Sequence, residues 1–129
     1  MTAAMKARSF LASLRFAVAG LASLVRTERN ARIHVAVAVL VAVAAFLLRV
    51  SWTDAALLAL AIGLVMAAEA FNTAIESLTD LASPNPHPLA RTAKDLAAAG
   101  VLLTALSALA VGLFVLGPPL WARLMSGLQ

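Results

Sequence analysis

Three apolar runs dominate the chain: IHVAVAVLVAVAAFLL, AALLALAIGLVMAAEAFNTAI and LAAAGVLLTALSALAVGLFVLG. A helix needs about 20 residues to cross the hydrocarbon of a bilayer. With their flanks, the runs predict three transmembrane helices over about 32–50, 54–76 and 94–117. Arg32 and Arg49 can lengthen the first by snorkelling to the headgroups. The connection RVSWTD is too short for anything but a hairpin turn, and Pro118 and Pro119 are expected to close the third span.

The segment ahead of the first run, SFLASLRFAVAGLASLVR, has another pattern. Leu11, Leu14, Val18, Leu21 and Val25 recur at helical spacing, with Arg8, Arg15 and Arg26 beside them. That predicts an amphipathic helix over about 6–28, lying in the membrane interface. Phe16 sits off the stripe, near Gly20 and Ser23. A signal peptide is the competing reading, but Arg15 would interrupt its apolar core and no convincing cleavage site follows. The expected fold is an all-α membrane protein, one domain over 1–129, with a surface helix and three spans.

Composition agrees. Of 129 residues, 63% are hydrophobic and 12% charged, with mean hydropathy +0.96, whereas soluble domains run at about 45–50% and roughly 25%. The absence of cysteine excludes disulfides and thiolate metal sites. A net charge of +4 raises nucleic acid as a partner, but the basic residues are placed for a membrane surface instead. Lys6, Arg8, Arg15, Arg26, Arg29 and Arg32 precede the first span, and Arg91 and Lys94 lie between the second and third. Only Arg49 and Arg123 fall on the other side, so the N-terminus and second loop are expected in the cytoplasm. Trp52 and Trp121 then suit the opposite headgroup belt. Small residues recur at Ala59, Gly63 and Ala67, and at Gly100, Thr104, Ala108 and Gly112. Such stripes let membrane helices approach closely and point to a tight, oligomeric bundle.

Against this background EAFNTAIESLTD stands out. At ~100° per residue, Glu69, Asn72, Glu76 and Asp80 share an arc of roughly 80°. Acids at membrane depth are costly and suggest function. Like charges on one face persist only with a cation or altered protonation, and a hard divalent metal suits paired carboxylates. Glu28, Lys94 and Asp95 are expected at the same level. Together they match phosphoryl transfer, which needs a metal on the phosphates, a further cation and a proton acceptor for the attacking hydroxyl. No GxxxxGK[ST] or protein-kinase motif is present, so any ATP site has another design. Two alternatives stay open at this point: ion or proton passage, and simple helix tethering through pairs with Arg29, Arg32 or Arg91. The near absence of polar groups in the other spans counts against a pore. His34 opens a span and reads as interfacial, while His87 is a turn residue and Pro88 a helix starter.

At ERNARIH (28–34), EAFNTAIESLTD (69–80) and HPLARTAKDLAAAGVLL (87–103), the chain resembles the prokaryotic diacylglycerol kinase and undecaprenol kinase family. The resemblance implies a small integral membrane lipid kinase, assembled as a homotrimer with composite sites between subunits. It would use Mg²⁺ and ATP to phosphorylate the hydroxyl of a membrane lipid, in a bacterial inner membrane. By the same resemblance Glu69 would be the general base, with Asn72 hydrogen-bonding in the catalytic site. Glu28 and Glu76 would hold the metal. Lys94 would meet the phosphates, with Asp95 fixing the nucleotide or that lysine. Asn85, Pro86 and His87 would form a loop near the nucleotide, with Phe16 near the adenine and Arg8 in the surface helix. Ala98 would join Glu69 in facing the lipid. The wording ERNARIH and HPLAR favours undecaprenol over diacylglycerol; the alternative function is a non-catalytic membrane protein or proton-coupled carrier.

Overall fold

The computed structural model describes residues 10–127, so Lys6, Arg8 and the start of the expected surface helix lie outside the described residues. Four helices follow in order: α1 Phe10–Thr27, α2 Arg29–Leu48, α3 Trp52–Ala82 and α4 Pro88–Ser126. Each is long and apolar enough to cross a membrane. The chain is an all-helical membrane protein, and no strand occurs among the described residues.

Each junction has a local cause. Glu28 takes an extended conformation between α1 and α2 (φ −95°, ψ 122°). There Arg32 Nη1 donates to the Arg26 carbonyl at 3.0 Å, satisfying an end-of-helix acceptor of α1. The turn after α2 places Arg49 in the left-handed region (φ 54°, ψ 47°), which costs a side-chain-bearing residue roughly 1 kcal/mol. The backbone bonds of Arg49 to Phe46 and of Val50 to Ala45, both 3.2 Å, close that helix end. Ser51 then caps α3, its Oγ accepting from the Asp54 N–H at 3.1 Å. His87 caps α4 through Nδ1, which accepts from the Leu89 N–H at 3.2 Å, and Pro88 occupies the first helical position as expected.

The third long helix departs from expectation at its far end. Pro118 and Pro119 do not close it; both lie inside α4, which continues to Ser126. Proline's fixed φ is helical, so the pair removes two backbone donors without forcing the chain out of the helix. The cost is two carbonyls, those of Phe114 and Val115, without their usual partners.

Packing is sparse within one chain. Leu24, Ala31, Leu58, Val65 and Glu69 are the buried residues among those described. On α3, Leu58, Val65 and Glu69 fall within about 40° of one another at ~100° per residue. This inward stripe of α3 faces α4 and α2. Asn72, Glu76 and Asp80 continue it, so the acidic face is the polar end of the core-facing side. The small-residue stripe of α3 points elsewhere. Ala59, Gly63 and Ala67 are exposed, and a Cβ added at Gly63 meets nothing within 4 Å. Close approach at this stripe is therefore not made within one chain. The α1 stripe of Leu11, Leu14, Val18 and Leu21 also faces outward, and the α1 residue buried against the chain is Leu24.

Candidate active site

Helix rise sets the depth of each polar group. Taking 1.5 Å per residue from Trp52, Glu69 lies about 26 Å along α3, Glu76 about 36 Å and Asp80 about 42 Å. A hydrocarbon slab of about 30 Å starting near Trp52 would end just past Glu69. Burial follows the same gradient: Glu69 is 2% exposed, Asn72 and Glu76 are half-buried, and Asp80 is exposed. Trp121 lies toward the end of α4, which runs back from the acidic end, so both tryptophans mark the opposite end of the bundle.

The deepest member has a partner that the sequence reading placed elsewhere. His34 on α2 brings Nε2 to 3.2 Å from Glu69 Oε1. The pair is at ion-pair distance but outside hydrogen-bonding geometry, leaving Oε1 buried without a hydrogen-bond partner. One turn along α3, Asn72 Nδ2 donates to Glu76 Oε1 at 2.9 Å. Asn72 Oδ1 is likewise buried and unpartnered. Buried acceptors normally find donors, so two open acceptors on consecutive turns form a polar spot with unused capacity. His34 lies near the start of α2, as expected of an interfacial residue, and α2 packing brings its ring onto the carboxylate. The available signal was a titratable residue six positions after Glu28, at the start of a span that must pack against α3.

Two cavities lie along the same helices, and neither Glu69 nor Asn72 lines either of them. A groove of about 480 Å³ runs between α2, α3 and α4, with Ile33 and His34 at one end and Leu120 at the other. Val37, Val65 and Leu109 are among its apolar walls. A second cavity, about 690 Å³, surrounds the α3–α4 turn and is lined by Asp80, Asn85, Pro86, His87, Lys94 and Asp95, with Arg91 beside them. Lys94 Nζ is paired with Asp80 Oδ1 across the two helices. Asp95 does not hold that lysine; its carboxylate faces Arg91 at 3.9 Å. Helix tethering by charge pairs, one of the open alternatives, is thus present at Asp80. Phe16 is 52% exposed on α1, and neither it nor Glu28, Glu76 or Ala98 lines either cavity.

No cluster of three or more His, Asp or Glu able to hold a metal is gathered among the described residues. Glu28 and Glu76 offer hard carboxylate oxygens, which touch only neutral donors: the Thr27 hydroxyl at 3.1 Å and the Asn72 amide. Magnesium is commonly held by one or two carboxylates, the remaining positions being filled by substrate phosphates and water.

The sequence profile described as prokaryotic diacylglycerol kinase matches residues 15–116. The chain belongs to the prokaryotic diacylglycerol kinase family. A diacylglycerol kinase of Synechocystis sp. is 46% identical over 115 residues, covering 88% of this chain and 66% of that protein. The undecaprenol kinase of Bacillus subtilis is 38% identical over 111 residues, covering 86% of this chain and 90% of its own length. The chain thus spans just under two thirds of the first relative and most of the second. The family and both relatives are named for lipid kinases, of diacylglycerol or undecaprenol.

Proposed function

We propose that this chain transfers the γ-phosphate of ATP to the hydroxyl of a membrane lipid, at the cytoplasmic face of a bacterial inner membrane. The observation that carries this reading is the Glu69 carboxylate, 2% exposed and about 26 Å along α3 by helix rise. A lipid whose chain follows the apolar groove toward His34 presents its hydroxyl at that depth without leaving the bilayer.

In this reading Glu69 takes the hydroxyl proton as the lipid oxygen bonds to the γ-phosphorus. The bond from that phosphorus to the β–γ bridging oxygen breaks, and ADP leaves with the electron pair. Asn72 holds the polar groups in register. Lys94 offsets charge on the phosphates, while Asn85, Pro86, His87 and Asp95 border the nucleotide and Phe16 meets the adenine. Glu28 and Glu76 would hold a divalent ion, which neutralises phosphate oxygens when bound.

The assembly is read as a homotrimer with one domain per chain, α1 on the membrane surface, three spans and a cytoplasmic N-terminus. Two features support it: most large apolar side chains face outward, and residues assigned to one site lie outside each other's cavities in the single chain. Undecaprenol is the substrate favoured by ERNARIH and HPLAR. Diacylglycerol is the second reading, favoured by the 46% identity to a protein named for that lipid.

Purified protein in mixed micelles with Mg²⁺ and γ-labelled ATP, offered undecaprenol or diacylglycerol separately, tests the reading. Label should pass to a lipid, and to undecaprenol faster. Intact trimers that label neither lipid would overturn it.

A further inference from the structure

A buried carboxylate that accepts a proton must be aimed as well as placed. General bases are generally held in one orientation by a third group that occupies their other polar atom. Glu69 has such a neighbour. Its Oε1 is buried and lacks a hydrogen-bond partner, and among the described residues the side chain at polar distance from it is His34, with Nε2 at 3.2 Å. The imidazole comes from a different helix, is 24% exposed at its side chain, and stands at the end of the apolar groove. One oxygen of the carboxylate therefore faces α2.

We infer that His34 is the positioning residue for Glu69: Nε2–H donates to Oε1 and leaves Oε2 as the acceptor for the lipid hydroxyl. This rests on Glu69 being the base. The 3.2 Å separation already has donor–acceptor length, so the bond needs the ring to turn its N–H into line and no approach of the two helices. Catalytic hydrogen bonds are often poorly aligned before substrate binds. The arrangement requires the neutral tautomer protonated at Nε2, or the imidazolium, since a lone pair at Nε2 would face the carboxylate oxygen. The ring also fills the groove end beside the carboxylate, so the alcohol meets Glu69 from one direction.

The experiment compares His34→Leu, His34→Gln and Glu69→Gln in the full chain, in micelles with ATP, Mg²⁺ and undecaprenol or a short-chain diacylglycerol. Loss of an orienting partner typically costs about 10–100-fold, so His34→Leu should lower kcat by that factor with the KM for ATP unchanged. His34→Gln keeps an N–H donor and should recover most of the loss. In the Glu69→Gln background, His34→Leu should add nothing further. A readout independent of turnover is the ¹⁵N spectrum of His34, which should show a protonated Nε2 that shifts in Glu69→Gln. A wild-type kcat in His34→Leu, or an Nε2 signal indifferent to Glu69→Gln, overturns the inference. If His34→Leu does not fold, the spectrum and His34→Gln decide. Should Glu69→Gln retain turnover, the base assignment itself fails and takes this inference with it. An inactive Glu69→Gln beside a fully active His34→Leu sinks the inference alone.

Discussion

Lys94 on α4 is ion-paired with Asp80 on α3, so the ammonium assigned to the phosphates already ties together the two helices flanking the nucleotide-side turn. The two roles separate experimentally. The side chains are 36% and 67% exposed, and exposed pairs contribute about 0–1 kcal/mol and weaken with salt. Asp80→Asn should therefore change thermal stability little, with any change shrinking at high ionic strength. Lys94→Ala should raise the KM for ATP about tenfold or more, one charge-assisted hydrogen bond being worth about 1.5–3 kcal/mol. A normal KM for ATP in Lys94→Ala would leave the lysine as a tether only.

Glu69→Gln keeps the shape of the side chain and removes its ability to take a proton. Proton transfer by a positioned base contributes about 10²–10⁴-fold, so turnover should fall at least that far. Helicity and oligomer size should stay unchanged, because Gln fits the same buried stripe beside Leu58 and Val65. Circular dichroism and sizing alongside the lipid assay check both halves. Near-wild-type turnover would remove Glu69 from the chemistry.

Glu28 and Glu76 stand in different helical settings, one at the break between α1 and α2 and one half-buried on α3. If both ligate one divalent ion, Glu28→Gln and Glu76→Gln should each shift the Mg²⁺ titration of activity upward. A tenfold shift corresponds to roughly 1.4 kcal/mol of lost binding. The KM for lipid should hold steady, since neither residue borders the apolar groove. An unchanged Mg²⁺ midpoint in both variants contradicts the shared-ion assignment.

The helices were legible because a membrane chain announces them by length and apolarity, and the start of α4 by Pro88, a local signal that needs no tertiary knowledge. The polar face was legible for the same reason: Glu69, Asn72, Glu76 and Asp80 share a face by helical period alone. Pairings between helices were not. His34 meets Glu69 because α2 crosses α3 at one height and rotation, and no local pattern in IHVAVAV encodes that angle. Lys94 meeting Asp80 rather than Asp95 likewise depends on how the α3–α4 turn folds back. At Pro118 and Pro119 the tendency of proline to end helices does not hold, because α4 absorbs the loss of two donors and continues. Even so, Leu58 and Val65 lie in register with Glu69, so the inward face of α3 could have been found by extending the acidic stripe backward.

The small-residue stripe of α3 gives the sharpest test of assembly. Ala59, Gly63 and Ala67 turn away from the chain's own core, and the space around Gly63 is open. Inside a lone chain, a larger side chain there has room. In an oligomer whose helices approach closely along that stripe, the same side chain would collide with a neighbour. Gly63→Leu should therefore leave helical content intact while shifting the proposed trimer to smaller species, as read by native mass spectrometry or crosslinking in detergent. Activity should fall with the trimer if the site is composite, and return where heterotrimers with wild-type chains form. Trimers that persist in Gly63→Leu would move the subunit contact to another face, and trimer loss with full activity would place a complete site within one chain.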